Sequence, residues 1–308
     1  MPLRDGYIPG VPCWVDVSEP NPGAALEFYG GLFGWEFEDV MPSSSEGNYF
    51  IARGKAASSS IFDTSGELGS GDVAAIRSIP LGAPPKAMWN TYFWVDSADD
   101  AASKVRDAGG GVVAEPFDFL SACRIAVFID PEGAAFSVWE ARGHKGARLV
   151  NDPGAVVFNG LNTRDVDGAR SFYRSVFGWQ TAGIGGEAEG WILPGYADWL
   201  EREHHPGLRQ QMAESGAPEG FEDVVGSIIP IADDQPDTPA HWSVTFATAN
   251  ADATAAKATE LGGRVIVPPF DAPWSTDTYT IRITIIEDPQ GVTFTASKFM
   301  PKKRVLDN

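Results

Sequence analysis

Two kinds of hydrophobic pattern alternate along the chain. Short stretches of apolar, β-branched and aromatic residues, some alternating with polar ones and some unbroken, read as β-strands. Cys13–Val17, Thr91–Val95, Ile125–Ile129 and Ala135–Trp139 are of this kind, as are Val157–Leu161, Ser243–Thr248, Ile281–Ile286 and Val292–Ser297. Other stretches return their aliphatic and aromatic residues at helical spacing. Leu26, Tyr29 and Phe33 trace one helical face, and Phe172, Tyr173, Val176 and Phe177 trace another. Further helices are expected over Asp99–Ala108 and Asp252–Leu261. Gly34 and Gly178 stand where a helix C-terminal glycine is expected.

These patterns occur twice. Phe28-Tyr29-Gly30-Gly31-Leu32-Phe33-Gly34-Trp35 is matched by Phe172-Tyr173-Arg174-Ser175-Val176-Phe177-Gly178-Trp179. Ala108-Gly109-Gly110 is matched by Leu261-Gly262-Gly263, and Glu115-Pro116-Phe117-Asp118 by Pro268-Pro269-Phe270-Asp271. Asp130-Pro131-Glu132-Gly133 is matched by Asp288-Pro289-Gln290-Gly291. The separation between copies only lengthens along the chain, so the order is kept with two short insertions. Internal similarity of this kind predicts two homologous domains, placed at 1–149 and 150–308 with a boundary near Gly143–Pro153. The 308 residues suit that division at about 150 per domain. Each half reads β-α-β-β-β twice, giving four modules of an α+β fold. Tyr196–Val225 breaks the repeat and is read as a domain–domain buttress in preference to a lid. Ser65–Pro85, rich in glycine and proline, is a candidate cover for the first domain.

Strand parity then separates two faces. Val15, Val17, Phe93, Val95, Phe136, Val138, Val244, Phe246, Val292 and Phe294 form a uniformly apolar face suited to packing under helices. The opposite parity carries Trp14 and Asp16; Asn90, Tyr92 and Trp94; Ser137 and Trp139; Ser243 and Thr245; Thr293 and Thr295. A solvated sheet face would hold Lys, Glu and Arg. Aromatic rings with a few hydroxyls and amides instead suit a concave pocket for a small molecule. Composition supports an ordinary globular protein, with 43% hydrophobic and 21% charged residues. A net charge of −19 disfavours nucleic acid and anionic lipid. Two cysteines and four histidines leave little for thiolate or imidazole metal sites, and no phosphate-binding glycine loop is found. With no secretory signal pattern and no long apolar run, a cytoplasmic protein is expected.

The Phe-Tyr…Phe-Gly-Trp motifs, the Gly-Gly helix ends and the Asp-Pro-Glu-Gly and Asp-Pro-Gln-Gly turns resemble the vicinal oxygen chelate superfamily. Its members include glyoxalase I, bleomycin-resistance proteins and extradiol dioxygenases. The resemblance runs from about Val11 to Phe299 and implies two tandem domains, each an open cup-shaped sheet. It also implies ligand positions for a divalent ion, which fall here on Trp14 and Phe158, Asn90 and Ser243, and Ser137 and Thr295. Ser58–Ser60 lies near the remaining one. Indole and phenyl groups do not ligate, and lone Ser, Thr or Asn oxygens are weak ligands. The expectation is therefore no metal and no cofactor.

Asp16, the one carboxylate on the predicted concave face, is a candidate orienting group or general base. His241, at a strand start, is a candidate proton shuttle. Trp14, Asn90, Tyr92, Trp94, Ser137, Trp139, Phe158, Ser243, Thr245 and Thr295 are the candidate ligand-binding residues. The expected function is binding of a small, partly aromatic molecule, as a binding or self-resistance protein or as a metal-free enzyme of specialised metabolism, by a monomer or homodimer. The alternative is a divalent-metal-dependent lyase or dioxygenase.

Overall fold

The computed structural model describes residues 3–57, 69–79, 81–82, 86–186 and 188–302. Ser58–Ser60 lies outside the described residues, as do residues 65–68, 80 and 83–85. The rest of Ser65–Pro85 does not form a cover but supplies a strand inside the first sheet, between its first and third strands. The first domain runs β1 (Pro12–Glu19), α1 (Pro22–Phe33), β2 (Glu36–Asp39), β3 (Tyr49–Lys55) and β4 (Ser70–Ser78), then β5 (Met88–Trp94), α2 (Ala98–Asp107), β6 (Gly111–Phe119), β7 (Cys123–Ile129) and β8 (Ala135–Ala141). The second repeats it as β9 (Val156–Thr163), α3 (Val166–Phe177), β10 (Gln180–Gly185) and β11 (Ala188–Ile192). Helices α4 (Tyr196–Glu203) and α5 (Leu208–Ser215) are inserted before β12 (Val224–Pro230). The second module is β13 (His241–Ala247), α6 (Ala251–Glu260), β14 (Arg264–Asp271), β15 (Tyr279–Glu287) and β16 (Thr293–Pro301). No helix among the described residues is long and apolar enough to cross a membrane.

The predicted helix ends have physical causes. Asn21 accepts from the Ala24 amide, Pro22 pre-sets the first turn of α1, and Gly34 ends it at φ 71°. Asp165 and Gly178, at φ 75°, do the same for α3. Each domain forms one eight-stranded sheet, ordered β2-β3-β4-β1-β5-β8-β7-β6 and β10-β11-β12-β9-β13-β16-β15-β14. The two modules of a domain join through antiparallel pairing of their first strands, β1 with β5 and β9 with β13. Module pairing, which the sequence leaves open, therefore occurs within each domain.

The apolar faces of the two sheets are turned toward each other with helices between them. Helix α1 presents Phe28 and Phe33 to Phe294 and Phe246 of the second sheet, at ring separations of 6.4 and 5.2 Å. Helix α3 reciprocates, with Phe177 5.1 Å from Phe93. Tyr29 donates to Asp288 Oδ2 (2.9 Å) and Tyr173 to Asp130 Oδ2 (3.1 Å). The duplicated Phe-Tyr motif of one domain thus grips the duplicated Asp-Pro turn of the other.

The inserted helices lie against the N-terminal segment. Arg4, 5% exposed, donates to the Tyr196 hydroxyl (2.8 Å) and sits over the rings of Tyr7, Tyr196 and Trp199. This is a contact between the second domain's insertion and the start of the first.

Candidate functional site

The concave face of the first sheet is built on β1. Trp14 lies opposite Tyr92 on β5, and Tyr92 lies opposite Ser137 on β8. Asp16, two residues on from Trp14, pairs with Ala75 and Asn90. A register shift between Pro12 and Trp14 leaves Cys13 as an extra residue where Trp14 enters the ladder.

Asp16 is completely buried. Its Oδ2 accepts from the hydroxyls of Tyr92 (2.7 Å) and Tyr49 (3.1 Å). Its Oδ1 accepts from Asn90 Nδ2 (2.7 Å) and lies 3.4 Å from Arg77 Nε. Arg77 Nε also donates to Ser18 Oγ (2.9 Å). A carboxylate taken out of water needs this company, and here both oxygens are provided for. Burial, then the Asp16 charge, push the Tyr49 phenol well above its ordinary value, so it stays protonated as a donor. Burial works against the charge of Arg77, but Asp16 and the two tyrosines raise its pKa.

Beside this network is a cavity of about 230 Å³. Its walls are the rings of Trp14, Tyr49, Phe119, Trp139 and His144, with Val40 and Ile51 and a lip at Leu120–Ala122. The opposite ends of the sheet meet here, because Tyr49 of β3 packs 4.9 Å from Phe119 of β6. Leu120 in the β6–β7 turn adopts φ 51°, an unusual conformation for a branched side chain and one that holds it at the rim. The segment after β8 is tied to the same turn, with His144 N donating to Ala122 O (3.0 Å).

That tie brings His144 to the site. The Gly146 amide donates to its Nδ1 (3.2 Å), which assigns the proton to Nε2, 3.1 Å from Asp72 Oδ2. Burial opposes the Asp72 charge, but His144 and Arg53 outweigh it and hold its pKa low. The His144 ring lies 4.8 Å from Trp14 and 5.5 Å from Trp139.

The structure brings together Trp14, Asp16, Asn90, Tyr92, Ser137 and Trp139. Of these, only Trp14 and Trp139 line the cavity. Trp94, at the end of β5, packs instead against Tyr7 (6.0 Å). Phe158, Thr245 and Thr295 form the matching row of the second sheet, and Ser243 lies opposite Gly160. All four are half-buried. His241 is in that second sheet too, with Nδ1 2.9 Å from Pro239 O and its own carbonyl accepting from Asn162. It shares no partner with Asp16.

Among the described residues, the second sheet has no counterpart of the Asp16 network. Gly160 occupies the Asp16 position, and a side chain there would meet Ile229 Cδ1 at 2.7 Å and Ser227 Oγ at 2.8 Å.

Sequence reasoning missed Tyr49, Arg77, Phe119 and His144. Arg77 carried a signal, a lone charge closing the apolar run Val73–Ile76. His144 lies after the last strand, outside any periodicity, and only the curl of the sheet places it.

A resident divalent ion suits these residues poorly. At the superfamily's ligand positions, Trp14 Nε1 donates to Tyr49 (2.9 Å) and Asn90 Nδ2 donates to Asp16 and Ser18. Both oxygens of the nearby Asp16 are already taken. Among the described residues, no group of three or more His, Cys, Asp or Glu side chains is arranged to hold a metal ion.

Two tandem, cup-shaped eight-stranded sheets with this arrangement define a class of protein. The chain belongs to the glyoxalase/bleomycin resistance protein/dioxygenase superfamily, whose model matches residues 14–138 and 155–295. It is 35% identical over 305 residues to CFP32 of Mycobacterium tuberculosis, whose name assigns it only provisionally as a glyoxylase; the match covers 98% of this chain and 100% of the relative. It is 32% identical over 303 residues to the anthracycline biosynthesis protein DnrV of Streptomyces peucetius, covering 94% and 93%. The fold matches the Mn(II)-bound glyoxalase of Novosphingobium aromaticivorans with a TM-score of 0.55 at 15% identity, covering 94% and 83% of the two chains. It also matches the 2,3-dioxygenase LapB of Pseudomonas sp. KL28 with a TM-score of 0.56 at 12% identity, covering 97% and 96%.

Proposed function

We propose that the first domain's cavity takes up a small, partly aromatic organic molecule and that no resident divalent ion takes part. The observation that carries this reading is the wall of five rings around about 230 Å³. Such a wall offers stacking area, and aromatic pairs contribute roughly 0.5–1.5 kcal/mol beyond burial. An apolar cavity of about 150 Å³ accepts benzene, so this one suits one or two fused rings, with the rest of a larger molecule outside. Similarity to a protein named for anthracycline biosynthesis favours a fused-ring ligand.

Asp16 serves this site from behind. Tyr49 stands between it and the cavity, so the carboxylate fixes that phenol and meets no ligand. The half-buried row of the second sheet offers hydroxyls and one ring without this support, and the first domain is therefore the working site.

The test is a titration of tryptophan fluorescence with 2-naphthol, alongside the metal content of the purified protein. Saturable quenching that Trp139→Ala abolishes is expected, with less than about a tenth of an equivalent of any divalent ion. Near-stoichiometric metal would overturn the metal-free reading and bring the lyase or dioxygenase alternative forward. Unsaturable quenching would overturn the cavity.

A further inference from the structure

The cavity has a definite electrostatic character. All the N–H and O–H groups on its rings are engaged within the protein. Trp14 Nε1 donates to the Tyr49 hydroxyl (2.9 Å), and that hydroxyl donates to Asp16 (3.1 Å). Trp139 Nε1 donates to His144 O (3.2 Å), and His144 Nε2 lies on Asp72 (3.1 Å). A ligand inside therefore meets ring carbon and is offered no ring donor, the exposed Ser121 at the lip being the one remaining polar side chain of the lining. This disfavours an anion or a hydrogen-bonding head group among the rings.

The same bonds enrich the rings in electrons. A phenol or imidazole donating to a carboxylate gains electron density, and an indole donating to that phenol is polarised the same way. The compensating cations lie away from the cavity. Arg77 meets Asp16 from the Ser18 side, opposite to Trp14 along β1. Arg53 meets Asp72 from an exposed position. Near the lip, Arg124 and Arg142 are both tied to Asp118. Electron-rich ring faces attract cations through their quadrupole, and aromatic cages are a recurrent means of binding alkylated ammonium groups.

We infer that the group inserted among Trp14, Tyr49, Phe119, Trp139 and His144 is a soft organic cation, an N-alkylated ammonium or pyridinium carried by the ligand. This rests on the reading of the cavity as the ligand site and names the chemistry of what enters it.

The test compares phenyltrimethylammonium with its uncharged carbon isostere, tert-butylbenzene, with 2-naphthol as a neutral aromatic reference. Affinities are read from tryptophan fluorescence at low and high salt. The isostere is the more hydrophobic, so an ordinary apolar pocket would prefer it. The ammonium is expected to bind about tenfold more tightly than the isostere. That preference should persist in about 1 M salt, where the −19 net charge is screened. Tyr49→Phe keeps the ring but cuts its link to Asp16, and should narrow the preference several-fold while the far-ultraviolet spectrum is unchanged. Equal or tighter binding of tert-butylbenzene, or a preference lost in salt, would overturn the cation inference. If 2-naphthol still binds in that case, the cavity reading stands. Failure of all three probes to bind would overturn both.

Discussion

At the scale of single residues, Asp16 decides the character of the first domain. Removing it leaves Arg77 and two buried phenols without their acceptor. Asp16→Ala should cost about 3–5 kcal/mol, the usual effect of stranding one member of a buried ion pair. Tyr49→Phe removes two hydrogen bonds, the one to Asp16 and the one from Trp14 Nε1, and should cost about 1–3 kcal/mol. Urea unfolding of both variants checks the difference. Glu19 is a second buried acid, beside Asp288 at the domain interface, where burial and then Asp288 push its carboxyl up to about 9. An acid raised in the folded state favours folding while protonated. Its contribution is complete below its ordinary value of 4.5 and is lost as the pH rises through about 9. Glu19→Gln should therefore lose less stability than the parent between pH about 5 and about 9, as thermal unfolding across that range would show. Strand alternation marked Asp16 and Trp14 as concave residues, because parity is a local property. It could not give Tyr49 or Arg77 as partners, since those pairings depend on the register of β3 and β4.

At the scale of elements, the duplicated motifs act across the domain boundary. Glu132, in the Asp-Pro turn of the first domain, accepts from the Arg164 and Asp165 amides at the start of α3 (3.1 and 3.0 Å). Gln290, in the matching turn, accepts from the Asn21 amide and donates to its carbonyl before α1, both at 2.9 Å. Each turn thus fixes the N-terminus of a helix from the other half. Tyr173→Phe and Tyr29→Phe should each cost about 1–2 kcal/mol, and additively, because the two clasps share no residue. The strands diverge more than the helices do. Gly160→Asp would not recreate the first site, because Ile229 and Ser227 fill the space. It should instead lower the melting temperature of the whole chain with no new ligand affinity. The helices were legible from spacing and from Gly34 and Gly178. The insertion holds two helices, α4 and α5, and Pro206-Gly207, with the glycine at φ 85°, separates them.

At the scale of the whole molecule, each domain completes the other's core. Phe28 and Phe33 of α1 are covered by the second sheet, and Phe93 and Phe136 are covered by α3. Residues 1–149 expressed alone would expose that face. They should form dimers or larger assemblies by gel filtration, with sharply reduced stability, because an uncovered apolar face of this size seeks a partner. A monomeric, stable first domain would show that the reciprocal packing contributes little.

The sequence by itself determined the duplication, the four modules, the helix ends and which parity of each strand faces a core, because each depends on residues close together in the chain. Local periodicity also separated an aromatic, polar face from an apolar one. Tertiary structure alone decided that modules pair within a domain, that the Phe-Tyr motif grips the opposite domain, and that Tyr49, Phe119 and His144 close around Trp14 and Trp139. Those facts rest on register and on the curl that brings β3 to β6, neither of which leaves a mark in neighbouring residues. The difference between the two sheets arises the same way: Asp16 is sustained by bonds from three other strands, and Gly160 is enforced by side chains from two.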